Sequence, residues 1–146
     1  MKKLLYFLLI GILFISCSSN DNNNDNPEQS LDEIILENSW FFQRHGEVCS
    51  NGFDLDAGDP YEFRFLSNNT VEFTDPGYLT SSSYELNGNQ LTLETIYTLP
   101  SGSMRKFIGN YTYSETNENF IGDSTFTAYN DTETLWTCDG TSSIFR

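Results

Sequence analysis

The chain has 146 residues, enough for one small domain with a single core, and 21 acids against seven Lys and Arg give it a formal charge of −14. That balance excludes a nucleic-acid binder, because so few cations cannot neutralise a phosphate track in so acidic a protein. Aromatic residues make up 15% of the chain, which demands either a large core or a cavity wall to house them.

Two lysines, Lys2 and Lys3, open the chain, and Leu4 to Ile15 follows without a charged residue. This suits the apolar region of a signal peptide and is too short for a bilayer span, which takes ~20 apolar residues. Ser16 and Cys17 end the run, and Leu13 to Cys17 resembles the lipobox of bacterial lipoproteins, with Phe14 where leucine is usual. The resemblance implies that residues 1–16 form a lipoprotein signal peptide and that Cys17 is the lipid anchor, acylated with palmitate-type chains. An ordinary secretory signal is the alternative. Ser18 to Ser30 carries no aliphatic or aromatic side chain, so it cannot offset its ordering entropy by burial. Residues 17–30 therefore read as a lipidated cysteine and flexible tether, holding the folded body ~20 Å from the lipid. The run "SSNDNNNDN" is also similar to the polar, acidic stretch that follows the lipidated cysteine in surface-exported lipoproteins of Bacteroidota, a plain periplasmic spacer being the alternative. The expected location is the cell envelope, as an outer membrane lipoprotein facing the periplasm or the surface, with the membrane as its partner through the lipid.

Residues 31–146 read as one β domain. Ser30 and Glu33 have the spacing of a capping box, and Leu31, Ile34 and Ile35 form an apolar stripe, which predicts a short helix ending by Asn38. A first strand is expected over Ser39 to Gly46. Tyr61 to Leu66 and Thr70 to Asp75 alternate around "SNN" and predict a hairpin. In "YELNGNQLTLE", Asn87 and Gly88 fit the two-residue type I′ turn, with Tyr84 and Leu86 leading in and Leu91 and Leu93 leading out. Met104 to Glu115 and Phe120 to Asn130 form a longer pair, and Thr134 to Cys138 closes a series of eight. With Cys17 set aside, Cys49 and Cys138 remain, and an even pair in an exported chain predicts a disulfide.

The capped helix, a strand opening on "NSWFF", the "FRFLSNNTVEF" hairpin and "YELNGNQLTLE", in that order behind a lipobox, resemble the lipocalin-like domain of Bacteroidota lipoproteins. The resemblance implies an all-β fold, an eight-stranded up-and-down antiparallel barrel with a short N-terminal helix, and a hydrophobic pocket. A β-sandwich is the structural alternative. Asn38, Ser39 and Trp40 stand where lipocalins proper carry Gly-x-Trp.

Catalysis finds little support. His45 is the only histidine, no serine sits in a Gly-x-Ser-x-Gly elbow, and nothing marks any carboxylate pair, so the chain is expected to be non-enzymatic, with no catalytic residue and no cofactor. Asp54, Asp56, Asp59 and Glu62 in "DLDAGDPYE" supply hard oxygen ligands around Gly58 and make a calcium candidate, set against a solvated acidic loop, which the departure from the EF-hand pattern favours. Phe63, Phe65, Phe73, Tyr84, Phe107, Tyr111, Tyr113 and Phe126 recur at alternating strand positions and either fill the barrel or line a cavity for one apolar ligand. Two functions are expected from this pattern: a binding module for a small apolar or amphipathic molecule, or a filled barrel that docks a protein or glycan through its acidic outer surface.

Overall fold

A computed structural model describes residues 29–130 and 133–146; the expected signal peptide, Cys17 and most of the expected tether lie outside the described residues. Helix α1 (Leu31–Glu37) begins where the capping box places it, with the Glu33 carboxylate accepting a hydrogen bond from the Ser30 N–H at 3.0 Å. At its other end the Asn38 amide donates to the Ile34 carbonyl (2.8 Å) and the Trp40 indole donates to the Ile35 carbonyl (3.1 Å). Two carbonyls that the helix cannot satisfy are thereby paired, and the helix is pinned to the adjoining strand.

The strands are β1 (Ser39–Cys49), β2 (Asp54–Leu55), β3 (Tyr61–Phe65), β4 (Val71–Phe73), β5 (Leu79–Asn87), β6 (Gln90–Thr98), β7 (Met104–Ser114), β8 (Asn119–Asn130) and β9 (Glu133–Phe145). All pairings are antiparallel, in the order β4-β3-β1-β9-β8-β7-β6-β5, with the two-residue β2 added to β1. Leaving β2 aside, each strand neighbours the next in sequence and β9 returns to β1. This is the expected eight-stranded up-and-down barrel, nearly closed. The remaining seam, β4 against β5, is held by the Tyr84 N–H on the Asn69 carbonyl (2.9 Å) and by the Ser82 hydroxyl, which accepts from the Val71 N–H (3.0 Å) and donates to the Val71 carbonyl (2.9 Å). A side chain there takes the place of a backbone ladder.

Three local expectations shift. The tight turn comprises Gly88 and Asn89, one residue later than Asn87 and Gly88, with Asn87 paired to Gln90. Only Gly88 has positive φ (61°), as a type II′ turn requires at its first central position. The later turn sets Leu86 opposite Leu91 and Tyr84 opposite Leu93, so the apolar pairs decide the register. Second, β1 does not stop at Gly46: this residue, at φ 108°, sits in a bulge between Arg44 and Glu47. Before the bulge Trp40 and Phe42 face inward; after it Glu47 and Cys49 do, and Cys49 meets Cys138. Third, β9 runs seven residues past Cys138 to Phe145, paired with β1 on one side and β8 on the other. The Cys49–Cys138 disulfide forms, joining β1 to β9.

Candidate functional site

The two ends of the barrel differ. At the end covered by α1 the interior is solid: Trp40, Phe63, Phe65, Phe120, Leu91 and Ile144 are buried with Ile35 of the helix packed on them. Trp40 meets Phe65 and Phe120 edge-on at ring distances of 6.1 and 5.6 Å, the arrangement that aromatic quadrupoles favour.

Small residues also make room for a row of buried polar groups across four strands. Glu47, Gly140, Ser124 and Gly109 are register neighbours across β1, β9, β8 and β7. A Cβ on Gly109 would overlap the Tyr111 ring, and one on Gly140 would overlap the Gly46 carbonyl and crowd Glu47, so these two glycines make the space that the larger side chains occupy. The Tyr111 hydroxyl lies 2.8 Å from the Ser142 hydroxyl within the core. Burial pushes the Tyr111 phenol far up, with the Ser142 hydrogen bond opposing and Glu47 adding to the shift, so it stays protonated. Glu47 Oε2 lies 3.5 Å from Arg44 Nη1, while Glu47 Oε1 and Ser124 Oγ are buried with no hydrogen-bond partner among the described residues.

Away from the solid end the barrel opens into a cavity of about 620 Å³. Its wall is apolar and aromatic: Phe42, Phe73, Leu93, Tyr97, Phe107 and Phe126, with Trp136 among the other lining residues. Residues 75–78 of the β4–β5 loop, Leu99 and the β2 residue Leu55 also line it. Phe42 and Phe107 pack edge-on at 5.1 Å, and Phe126 lies 5.6 Å from Trp136, so the wall is preassembled. Two cations line the cavity. Arg44 joins it to the buried Glu47, and Arg105 lies 6.0 Å over Phe126 and 5.8 Å over Trp136. Burial raises the Tyr97 phenol, so this hydroxyl remains a donor.

Of the eight aromatic candidates, Phe73, Phe107 and Phe126 line the cavity, whereas Phe63, Phe65 and Tyr111 are buried in the core and Tyr84 and Tyr113 pack against it. Phe42, Tyr97 and Trp136 were not among the candidates, although alternation sets Phe42 beside Trp40 and Tyr97 beyond Thr95 on inward faces. Arg105 shares a face with Phe107 by the same spacing. The four calcium candidates do not assemble: Asp54 begins β2, Glu62 accepts a hydrogen bond from Thr74 (3.2 Å), and no group of three His, Cys, Asp or Glu among the described residues is arranged to hold a metal ion. His45 is exposed on the outer wall, 2.8 Å from the Ser143 hydroxyl.

The burial of Glu47 has a testable consequence. Burial raises its carboxyl above the ordinary 4.5, with Asp139 adding to the rise and the Arg44 charge and hydrogen bond opposing it. The native state therefore holds this proton more tightly than the unfolded chain. The resulting stability is fully present below pH ~4.5 and is lost as pH rises through the raised value. Glu47→Gln should flatten that part of the profile, gaining on the wild type as pH rises, when unfolding is followed in denaturant at a series of pH values. An unchanged pH slope would contradict the burial argument.

No protein-family model, curated protein or solved structure matches the chain.

Proposed function

We propose that the protein is a membrane-anchored, non-enzymatic binding module of the cell envelope that holds one small apolar or amphipathic molecule in the open half of its barrel. The observation that carries this reading is the contrast between the two ends, one a solid aromatic core and the other an aromatic-walled cavity of about 620 Å³. Unfilled volume costs stability, roughly 24 cal/mol per Å³ when a buried side chain is removed, so a barrel required only to be stable gains from filling both ends. The volume falls in the ~300–1,000 Å³ range of small-molecule sites. An open end also favours this reading over a filled barrel acting through its outer surface.

The lipobox at Cys17 supports the anchor, and the fold resemblance supports carriage. The chain enters the barrel at α1, which covers the solid end. A tether over residues 17–30 that joins the barrel at this end would therefore leave the open half facing away from the lipid. The test is native mass spectrometry on the full chain purified from its host's membranes. The expected result is a diacyl or triacyl increment on a chain beginning at Cys17, with release of a stoichiometric small molecule on denaturation. An empty barrel with no affinity for either a neutral apolar probe such as N-phenylnaphthylamine or an anionic one such as anilinonaphthalene sulfonate would overturn the binding role.

A further inference from the structure

We infer that the ligand is an amphipathic anion, its apolar body against the aromatic wall and its acidic group on Arg105, with Arg44 as the second cation in reach of the cavity. This inference rests on the cavity being a ligand site and adds the sign of the ligand's charge.

The observation behind it is a local inversion of the protein's electrostatics. The formal charge of the chain is −14, and the described residues carry only five cations: Arg44, Arg64, Arg105, Lys106 and Arg146. Two of these five line one cavity. Lys106 and Arg146 are paired with Glu94 and Glu118, and Arg64 donates to the Ser39 hydroxyl. One carboxylate lines the same space, Asp75, and it is engaged in its own turn, accepting from the Gly77 N–H at 3.3 Å.

The two guanidiniums are held differently. Arg44 reaches a single oxygen of Glu47 at 3.5 Å, the outer limit of a hydrogen bond, which leaves most of its five donors uncommitted. Arg105 forms no ion pair with the described residues; it lies over the Phe126 and Trp136 rings. Aromatic contacts fix the plane of a guanidinium and leave its N–H edges available, the presentation that recognises a carboxylate, sulfonate or phosphate in bidentate fashion. In an apolar recess such a pair is screened less than at a surface, so its strength exceeds that of an exposed ion pair. An ammonium or other cationic ligand would meet two like charges in the same recess.

Two probes with the same aromatic body separate the anionic requirement from the apolar one: anilinonaphthalene sulfonate, which carries a fixed negative charge, and neutral N-phenylnaphthylamine. Each is titrated by fluorescence into residues 18–146, which contain the entire core and the disulfide, with near-ultraviolet circular dichroism showing that packing is native. The wild type should bind the sulfonate more tightly than the neutral probe. Arg105→Gln should lower the sulfonate affinity about tenfold or more, the weight of one charge-assisted hydrogen-bonded pair, while changing the neutral probe little. Arg105→Lys should recover part of the loss. Binding of both probes with a sulfonate affinity indifferent to Arg105→Gln would overturn the anionic inference and leave the cavity reading standing. Failure of both probes to bind would overturn both.

Discussion

Replacing Cys49 and Cys138 by alanine should lower the unfolding free energy by about 3 to 5 kcal/mol and the melting temperature by about 10 to 20 °C. The bond spans 89 residues of sequence, so it removes a large share of the unfolded chain's freedom, a closure put at about 4 to 5 kcal/mol by the chain-entropy model. Stabilities of small domains lie at ~5 to 15 kcal/mol, so the loss approaches the whole for a barrel at the lower end. Position adds to sequence separation: β1 and β9 are the first and last long strands, and the bond lies at the pair where the barrel returns on itself. Chemical denaturation of the oxidised protein and the double variant checks this. Coincident midpoints would show that strand pairing alone closes the barrel.

Trp40→Ala should cost a comparable ~3 to 5 kcal/mol. Trp40 is fully buried at 0% exposure, packs on Phe65 and Phe120, and carries the hydrogen bond to Ile35 that ties α1 to the barrel. Truncation therefore opens a cavity and unfastens the helix that caps the solid end. Trp136 supplies the internal comparison, since it is half-buried in the cavity wall. Trp136→Ala should cost roughly 1 kcal/mol, because the space it vacates is already open to solvent. Equal losses from the two variants, read in urea titrations, would contradict the division of the barrel into a filled and an open half.

Much of this architecture is written in alternation. Tyr61, Phe63 and Phe65 alternate in β3, and Phe73 of β4, Phe107 and Tyr113 of β7 and Phe120 and Phe126 of β8 fall on the same inward parity, so that the structure pairs Phe63 with Phe73, Phe107 with Phe126 and Tyr113 with Phe120. What alternation leaves open is parity after an irregularity. The bulge at Gly46 turns Glu47 inward, and no feature of "RHGEVC" distinguishes a bulge from the end of a strand. The second half of β9 is obscured for a different reason. "DGTSS" has turn composition, yet Ser142 is buried because Tyr111 supplies its partner from across the barrel. A hydroxyl whose partner is that far away in sequence is unreadable locally.

The same limit applies to the candidate site. Alternation tells which face of a strand points inward, but not how far along the barrel a residue sits, which depends on the stagger between strands. Phe63 and Phe65 therefore share an inward face with Phe73 and Phe107 and yet belong to the solid end. Arg105 is inward by the spacing that makes Phe107 inward, a signal that its charge conceals.

The measurement that tests the central claim most directly uses the two tryptophans as reporters of the two halves. Trp40→Phe leaves Trp136 in the cavity wall, and Trp136→Phe leaves Trp40 in the core. Bromodecanol, a neutral apolar ligand whose bromine quenches indole fluorescence only at contact, is titrated into each. The half-open barrel predicts saturable quenching of Trp136 with Trp40 unaffected; absence of quenching at Trp136, or equal quenching of both, would contradict it.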